Sequence, residues 1–181
     1  MKFIFAIVAL LGLYSCSGNP YDLSTPEKLG EEVFNAIKDN DIDRMIYFVP
    51  TREQIKRGAI EVGGATEEKV EEIFTDLDKE YGEGGNKIIS ENIPGQFPEI
   101  RSKLFKGKYS WKDAKYKNTY SNTITQKGFE YGKLLVEVEN HGELFYFTIE
   151  AGENIDHQWM ITDDMHVTHG DGYLKEFGIE K

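Results

Sequence analysis

The chain has 181 residues, with 21 Lys and Arg against 32 Asp and Glu, and a net charge of −11. That balance repels nucleic acid and anionic headgroups, and no basic cluster interrupts it, so nucleic-acid binding is excluded. Cys16 is the only cysteine, which excludes an internal disulfide framework. The length suits one domain with a core of ordinary size.

The chain opens MKFIFAIVALLGLYSC, and Lys2 is the only charge before Asp22. Phe3 to Leu13 is an apolar run of eleven residues. A helix that crosses a bilayer needs about 20. A basic start, a short apolar core and small residues after it describe a secretory signal peptide over 1–15. The sequence Leu13-Tyr14-Ser15-Cys16 resembles the lipobox of bacterial lipoproteins. In that family a peptidase cuts before the cysteine, whose sulfur carries a diacylglyceryl group and whose new amino group takes an acyl chain such as palmitate. Cys16 is then the lipid-attachment residue, and the membrane is a partner through its anchor. The alternative is ordinary cleavage after Ser17, with Cys16 discarded. Each buried methylene contributes about 0.8 kcal/mol, so two or more chains hold a soluble domain stably. Residues 16–24 are polar, with Gly18, Asn19 and Pro20, and read as a flexible tether. A single domain over 25–181 follows.

Helices come first in that domain. Ser24 and Glu27 have capping-box spacing, Pro26 suits the first turn, and Leu29, Val33, Ala36 and Ile37 form one apolar face. Asp39, Asp41 and Asp43 alternate like the start of a calcium loop, but Arg44 and Pro50 stand where glycine and glutamate are required; a solvated turn is expected. Ile42, Met45, Ile46 and Val49 predict a second short helix, stopped by Pro50. Thr51 and Gln54 repeat the capping-box spacing before a third, over 51–60. Thr66 caps the most regular helix, with Val70, Ile73, Phe74, Leu77 and Tyr81 at spacings of three and four and Glu67 and Glu68 complementing the dipole. Gly82 to Gly85 end it. The following Lys87 lacks the strand, helix and hydroxyl of a phosphate-binding loop. A weaker helix is expected over 98–105.

From about Tyr109 the period changes to two. Leu134, Val136 and Val138 alternate with Leu135, Glu137 and Glu139; Phe145, Phe147 and Ile149 alternate with Leu144, Tyr146 and Thr148. A two-residue turn at His141-Gly142 pairs 138 with 145, 136 with 147 and 134 with 149, and puts all six apolar side chains on one face. One strand precedes this hairpin and another, HQWMITDDMHV, follows it. The fold class is therefore α+β: amphipathic helices packed on a curved, C-terminal antiparallel sheet of about four strands. Leu135, Leu144 and Tyr146 form an apolar patch on the far face, either a partner surface or a place where a helix docks.

This order resembles the nuclear-transport-factor-2-like (cystatin-like) lipoproteins of the Bacteroidetes. The resemblance rests on the lipobox, on Thr25-Pro26-Glu27, on the Lys38 to Asp41 turn and on Trp159 to Asp164; residues 55–97 fit it less well. It implies a cone-like domain with a pocket between sheet and helices, on a lipid-anchored protein of the bacterial envelope, at the outer membrane. The function expected is non-enzymatic binding of a small ligand or an envelope partner.

Asp163 carries the alternative. If a three- or five-residue loop joins the last strands, Asp163 points inward near Phe145, Phe147 and Trp159. Desolvation against aromatic rings would suit a carboxylate, or a nearby histidine, to acid–base work. Asp163, Trp159, Phe145 and Phe147 are therefore the pocket candidates, and no catalytic residue is assigned. Asp163, Asp164, His166, His169 and Asp171 form the densest polar cluster, but their spacing matches no zinc site; neither a metal nor a cofactor is expected.

Overall fold

The computed structural model describes residues 19–81, 95–168 and 171–179. The leader, Cys16, the Gly82 to Gly85 helix stop, Lys87 and His169 lie outside the described residues. Helix α1 spans Pro26–Asp39, a 3-10 turn Asp43–Phe48, α2 Arg52–Glu61 and α3 Glu67–Tyr81; α4 covers 95–103. Strands β1 (Lys115–Gln126), β2 (Phe129–Asn140), β3 (Glu143–Glu153) and β4 (Trp159–Thr168) follow, then a short helix α5 (Asp171–Glu176). The strands form one antiparallel meander in the order β1-β2-β3-β4. The α+β arrangement with helices first and a four-stranded sheet second is thus present.

The central hairpin has the expected register, with Val138 opposite Phe145, Val136 opposite Phe147 and Leu134 opposite Ile149. His141 and Gly142 have φ of 53° and 81°, the double left-handed geometry that matches strand twist in a two-residue turn. Leu134, Val136, Val138, Phe147 and Ile149 are wholly buried on one face. Leu29, Val33, Phe34, Ala36 and Ile37 of α1 pack into the same core, with Met45, Phe48, Phe97, Ile100 and Leu104. Gly30 permits the close approach: a Cβ there would lie 2.0 Å from the Thr119 hydroxyl of β1.

Local details differ from the sequence pattern. Thr25, not Ser24, caps α1 by accepting from the Lys28 N–H at 3.3 Å, and the Ser24 hydroxyl donates instead to Asp22. The stretch after α1 is 3-10 rather than α-helical; Met45 and Phe48 turn inward while Ile42 and Ile46 are exposed. The tighter turn brings residues three apart onto one face. In the most regular helix, α3, only Val70 and Phe74 are buried among the side chains described, and neither belongs to the main core. α4 takes the place beside the sheet instead. Arg101 closes the end of α1 by donating to the carbonyls of Ile37 and Lys38, the first of which also accepts from the Asn40 N–H at 3.3 Å; the last carbonyls of a helix lack the usual intrahelical partner.

Residues 19–24, expected as a free tether, lie against the body. Leu23 is buried and its carbonyl accepts from the Trp159 N–H at 2.8 Å. Tyr21 packs edge-on against Tyr47 and Phe48, and the Asn19 amide donates to the Tyr47 carbonyl.

The opposite sheet face is covered too. Leu135 and Tyr146 pack against Leu174, Phe177 and Ile179 of the C-terminal segment. Glu137 is nearly buried there and accepts from the hydroxyls of Tyr146 (3.1 Å) and Tyr120 (3.4 Å). Burial, reinforced by the Glu137 charge, pushes the Tyr146 hydroxyl up to about 12. A tyrosine raised above its unfolded value of about 10 stabilises the fold fully below pH 10, and that contribution is lost as pH rises towards 12. The urea midpoint should fall over this interval, and Tyr146→Phe should flatten the fall; an unchanged slope in the variant would contradict this account.

Candidate functional site

Helix α2 begins with a complete capping box: the Thr51 hydroxyl accepts from the Gln54 N–H and the Gln54 side chain accepts from the Thr51 N–H. Yet no residue of α2 is buried. It lies over the open end of the sheet, where β2 starts and β3 gives way to β4. Between helix and sheet end is a cavity of about 270 Å³. Ile55 and Gly58 line it from α2 and Val62 from the residue that follows the helix; Phe129, Ile155 and Met160 line it from the sheet end and the β3–β4 loop. Gly152, Glu153, Asn154 and Thr162 complete the wall.

Polar contacts at the helix margins keep α2 in place above this gap. Gln54 donates to Asp156 at 3.1 Å, and Arg57 pairs with the same carboxylate at 3.1 Å. The Lys127 ammonium donates to the Val62 carbonyl at 2.9 Å, at the C-terminal end. From the other side, the Arg52 guanidinium makes two 2.8 Å bonds to Asp78 and lies 4.6 Å over the Phe74 ring. Pairing with Arg52 holds the Asp78 carboxyl below the usual carboxylate range. Lys56 pairs with Glu71.

The Asn154 side chain orders the β3–β4 loop. Its Oδ1 accepts from the N–H groups of Asp156 (2.8 Å) and Gln158 (3.0 Å). Its Nδ2 is buried and has no hydrogen-bond partner. At the same end, Glu153 accepts from the Glu130 N–H at 3.0 Å, and His157 stacks on Phe129 at 5.2 Å.

The expected pocket residues do not converge here. Trp159 and Phe147 are buried in the main core. Phe145 packs against that core, between Phe105 (4.9 Å) and Tyr109 (4.8 Å). Asp163 is exposed. The joining loop has the five residues 154–158, so Trp159 and Ile161 do turn inward, opposite Glu153 and Ala151. The pairing then shifts: Ile149 lies opposite Met165. Two extra residues in β4 bulge out around Asp163. Gln96 of α4 secures the bulge, accepting from the Met165 N–H and donating to Asp164, both at 2.6 Å. Asp163 therefore lacks the apolar enclosure that an acid–base role would require. His166 pairs with Asp164 at 3.3 Å on the surface. Among the described residues, no group of three or more His, Cys, Asp and Glu side chains could hold a metal ion.

A second, polar cleft of about 540 Å³ is lined by Lys38, Lys112, Asp113, Lys115, Glu139 and His141. Its polar groups are mostly engaged with one another: His141 lies 3.6 Å from Asp113, Lys115 lies 3.9 Å from Glu139, and Lys38 donates to the Ala114 carbonyl at 2.8 Å. A hydrogen bond from Ser110, with His141 nearby, holds the Asp113 carboxyl below its usual range.

No protein-family model, curated protein or solved structure matches this chain.

The α2 cavity combines residues the sequence kept apart: Ile55, Gly58 and Val62 in one segment, Asn154 and Met160 about a hundred positions later. Gly58 was the available signal. A glycine inside a well-capped helix costs about 0.5–1 kcal/mol relative to alanine, and a Cβ at Gly58 would meet nothing within 4 Å. Gly58→Ala should therefore raise stability by about 0.5–1 kcal/mol in urea unfolding. Destabilisation would show that the space is not open.

Proposed function

We propose that this is a lipid-anchored protein of the bacterial envelope, held at the outer membrane through acyl chains on Cys16, whose domain works by binding a small ligand. The anchor reading is supported by the basic residue, short apolar run and lipobox-like Leu13 to Cys16. The binding reading is carried by one observation: the apolar cavity of about 270 Å³ between α2 and the sheet end. For comparison, an engineered apolar cavity of about 150 Å³ takes benzene, so a ligand of ten to fifteen heavy atoms is within scale.

The docked segment 19–24 changes how such an anchor would act. Cys16 is three peptide steps from Asn19, a reach of about 10 Å. Acyl chains there would hold the body close to the bilayer rather than on a long leash, and one end of the molecule would face the lipid.

Expression of the full chain with labelled palmitate tests the anchor. Wild type should take up label and sediment with membranes; Cys16→Ala should lose the label and enter the soluble fraction. Equal labelling of the variant would refute lipidation at Cys16. Native mass spectrometry of the released wild type should show an added small-molecule mass, and Gly58→Phe should remove it.

A further inference from the structure

We propose that the exposed side chains of Ile42, Ile46 and Tyr47 form the membrane-facing surface of this protein, and that they enter the headgroup region of a zwitterionic bilayer when the chain is anchored. This names the face that the anchor turns towards the lipid, and it rests on the anchor reading above.

The 3-10 turn after α1 has an inner and an outer side. Met45 and Phe48 are wholly buried, whereas Ile42, Ile46 and Tyr47 are 42%, 51% and 43% exposed. Three large apolar side chains are thus open to water within six consecutive residues. Ile46 and Tyr47 are neighbours in the chain, and Ile42 precedes them by little more than one turn. A grouped apolar surface of this kind marks a place that gains by leaving water, in a partner or in lipid.

The point where the chain enters the body favours lipid. Segment 19–24 docks on this same turn: the Asn19 amide donates to the Tyr47 carbonyl at 2.6 Å, and the Tyr21 ring lies 5.5 Å from that of Tyr47. Cys16 is three residues before Asn19, a reach of about 10 Å. Acyl chains on its sulfur would therefore bring a bilayer to this turn. They would not bring it to Leu144, which is also exposed but alternates with the core-packed Phe145 and so faces away from the helices. Apolar side chains at such an interface sit about 5–10 Å deep. Tyrosine suits that depth, since its ring is apolar and its hydroxyl can meet water or headgroups. The surrounding charges select the headgroup. Asp39, Asp41 and Asp43 are exposed beside the patch, while Arg44 pairs with Glu32 and lies 4.5 Å over the Tyr21 ring. That rim opposes an anionic headgroup and tolerates a zwitterionic one.

The test supplies an anchor at the same position by coupling the Cys16 thiol of the full-length, unacylated chain to a maleimide-bearing phospholipid. It therefore does not depend on acylation in cells, which the palmitate label scores separately. Vesicles of phosphatidylcholine with brominated acyl chains quench tryptophan that touches lipid. Wild type is the blank, because Trp111 and Trp159 are buried. Ile46→Trp and Tyr47→Trp should be quenched at least about threefold more than Leu144→Trp, since only side chains at the interface reach the acyl boundary. Ile42→Asp combined with Ile46→Asp should lower the quenching of Tyr47→Trp by a similar factor, and an unchanged urea midpoint shows that this variant is folded. Substituting phosphatidylglycerol for part of the phosphatidylcholine should reduce quenching at position 46 at low salt, and added salt should restore it. Equal quenching at positions 46 and 144, or none at 46, would overturn the membrane face whatever the palmitate label shows. Emission at position 46 that shifts to the blue with protein density, without quenching, would overturn it in favour of a second copy of the chain. Stronger quenching in phosphatidylglycerol would overturn the zwitterionic preference.

Discussion

The register of β2 on β3 is the constraint to which the rest of the molecule is fitted. Side chains alternate along a strand, so a slip of one residue would send Leu134, Val136 and Val138 to the wrong face. The two-residue turn at His141-Gly142 admits one pairing. It yields two apolar faces, and each requires a cover. The helices α1 and α4 cover the first, and the C-terminal segment with Leu174, Phe177 and Ile179 covers the second. The approach of α1 is close because Gly30 presents no side chain to Thr119.

That cover has an end, and the cavity lies there. Over the middle of the sheet, α1 buries Leu29, Val33, Phe34, Ala36 and Ile37. At the strand ends α2 buries none of its residues and depends on Asp156, Lys127 and the pairs to α3. Exposed ion pairs each contribute about 0–1 kcal/mol, against about 1.5–3 kcal/mol for each large apolar side chain fully buried. α2 and α3 therefore belong to the less stable part of the fold, the part from which ligand-gating elements are drawn.

The β4 bulge shows the same division between local pattern and tertiary choice. A regular strand would alternate from Trp159 to Ile161 to Asp163, and would place the carboxylate inside. The chain instead inserts two residues, lets Met165 resume the inner face opposite Ile149, and leaves Asp163 in water. Gln96 makes this affordable by supplying hydrogen bonds to Met165 and Asp164. Nothing within residues 159–168 announces that partner; it comes from a helix more than sixty positions earlier.

The sequence alone determined what rests on neighbours a few residues apart. The β2–β3 register follows from period-two alternation around a glycine turn, the start of α2 from Thr51 and Gln54, the apolar face of α1 from its spacing, and the order of helices before strands from the change of period. Tertiary structure decided what depends on groups far apart in the chain. It selected α1 and α4 rather than the more regular α3 to cover the sheet, laid residues 19–24 on the body, bulged Asp163 outward, and brought Gly58 and Asn154 to one cavity. Periodicity reports that a face is apolar but not which surface will meet it, because the match is set by the shapes and unpaired hydrogen-bonding groups of segments that approach each other only in the folded chain.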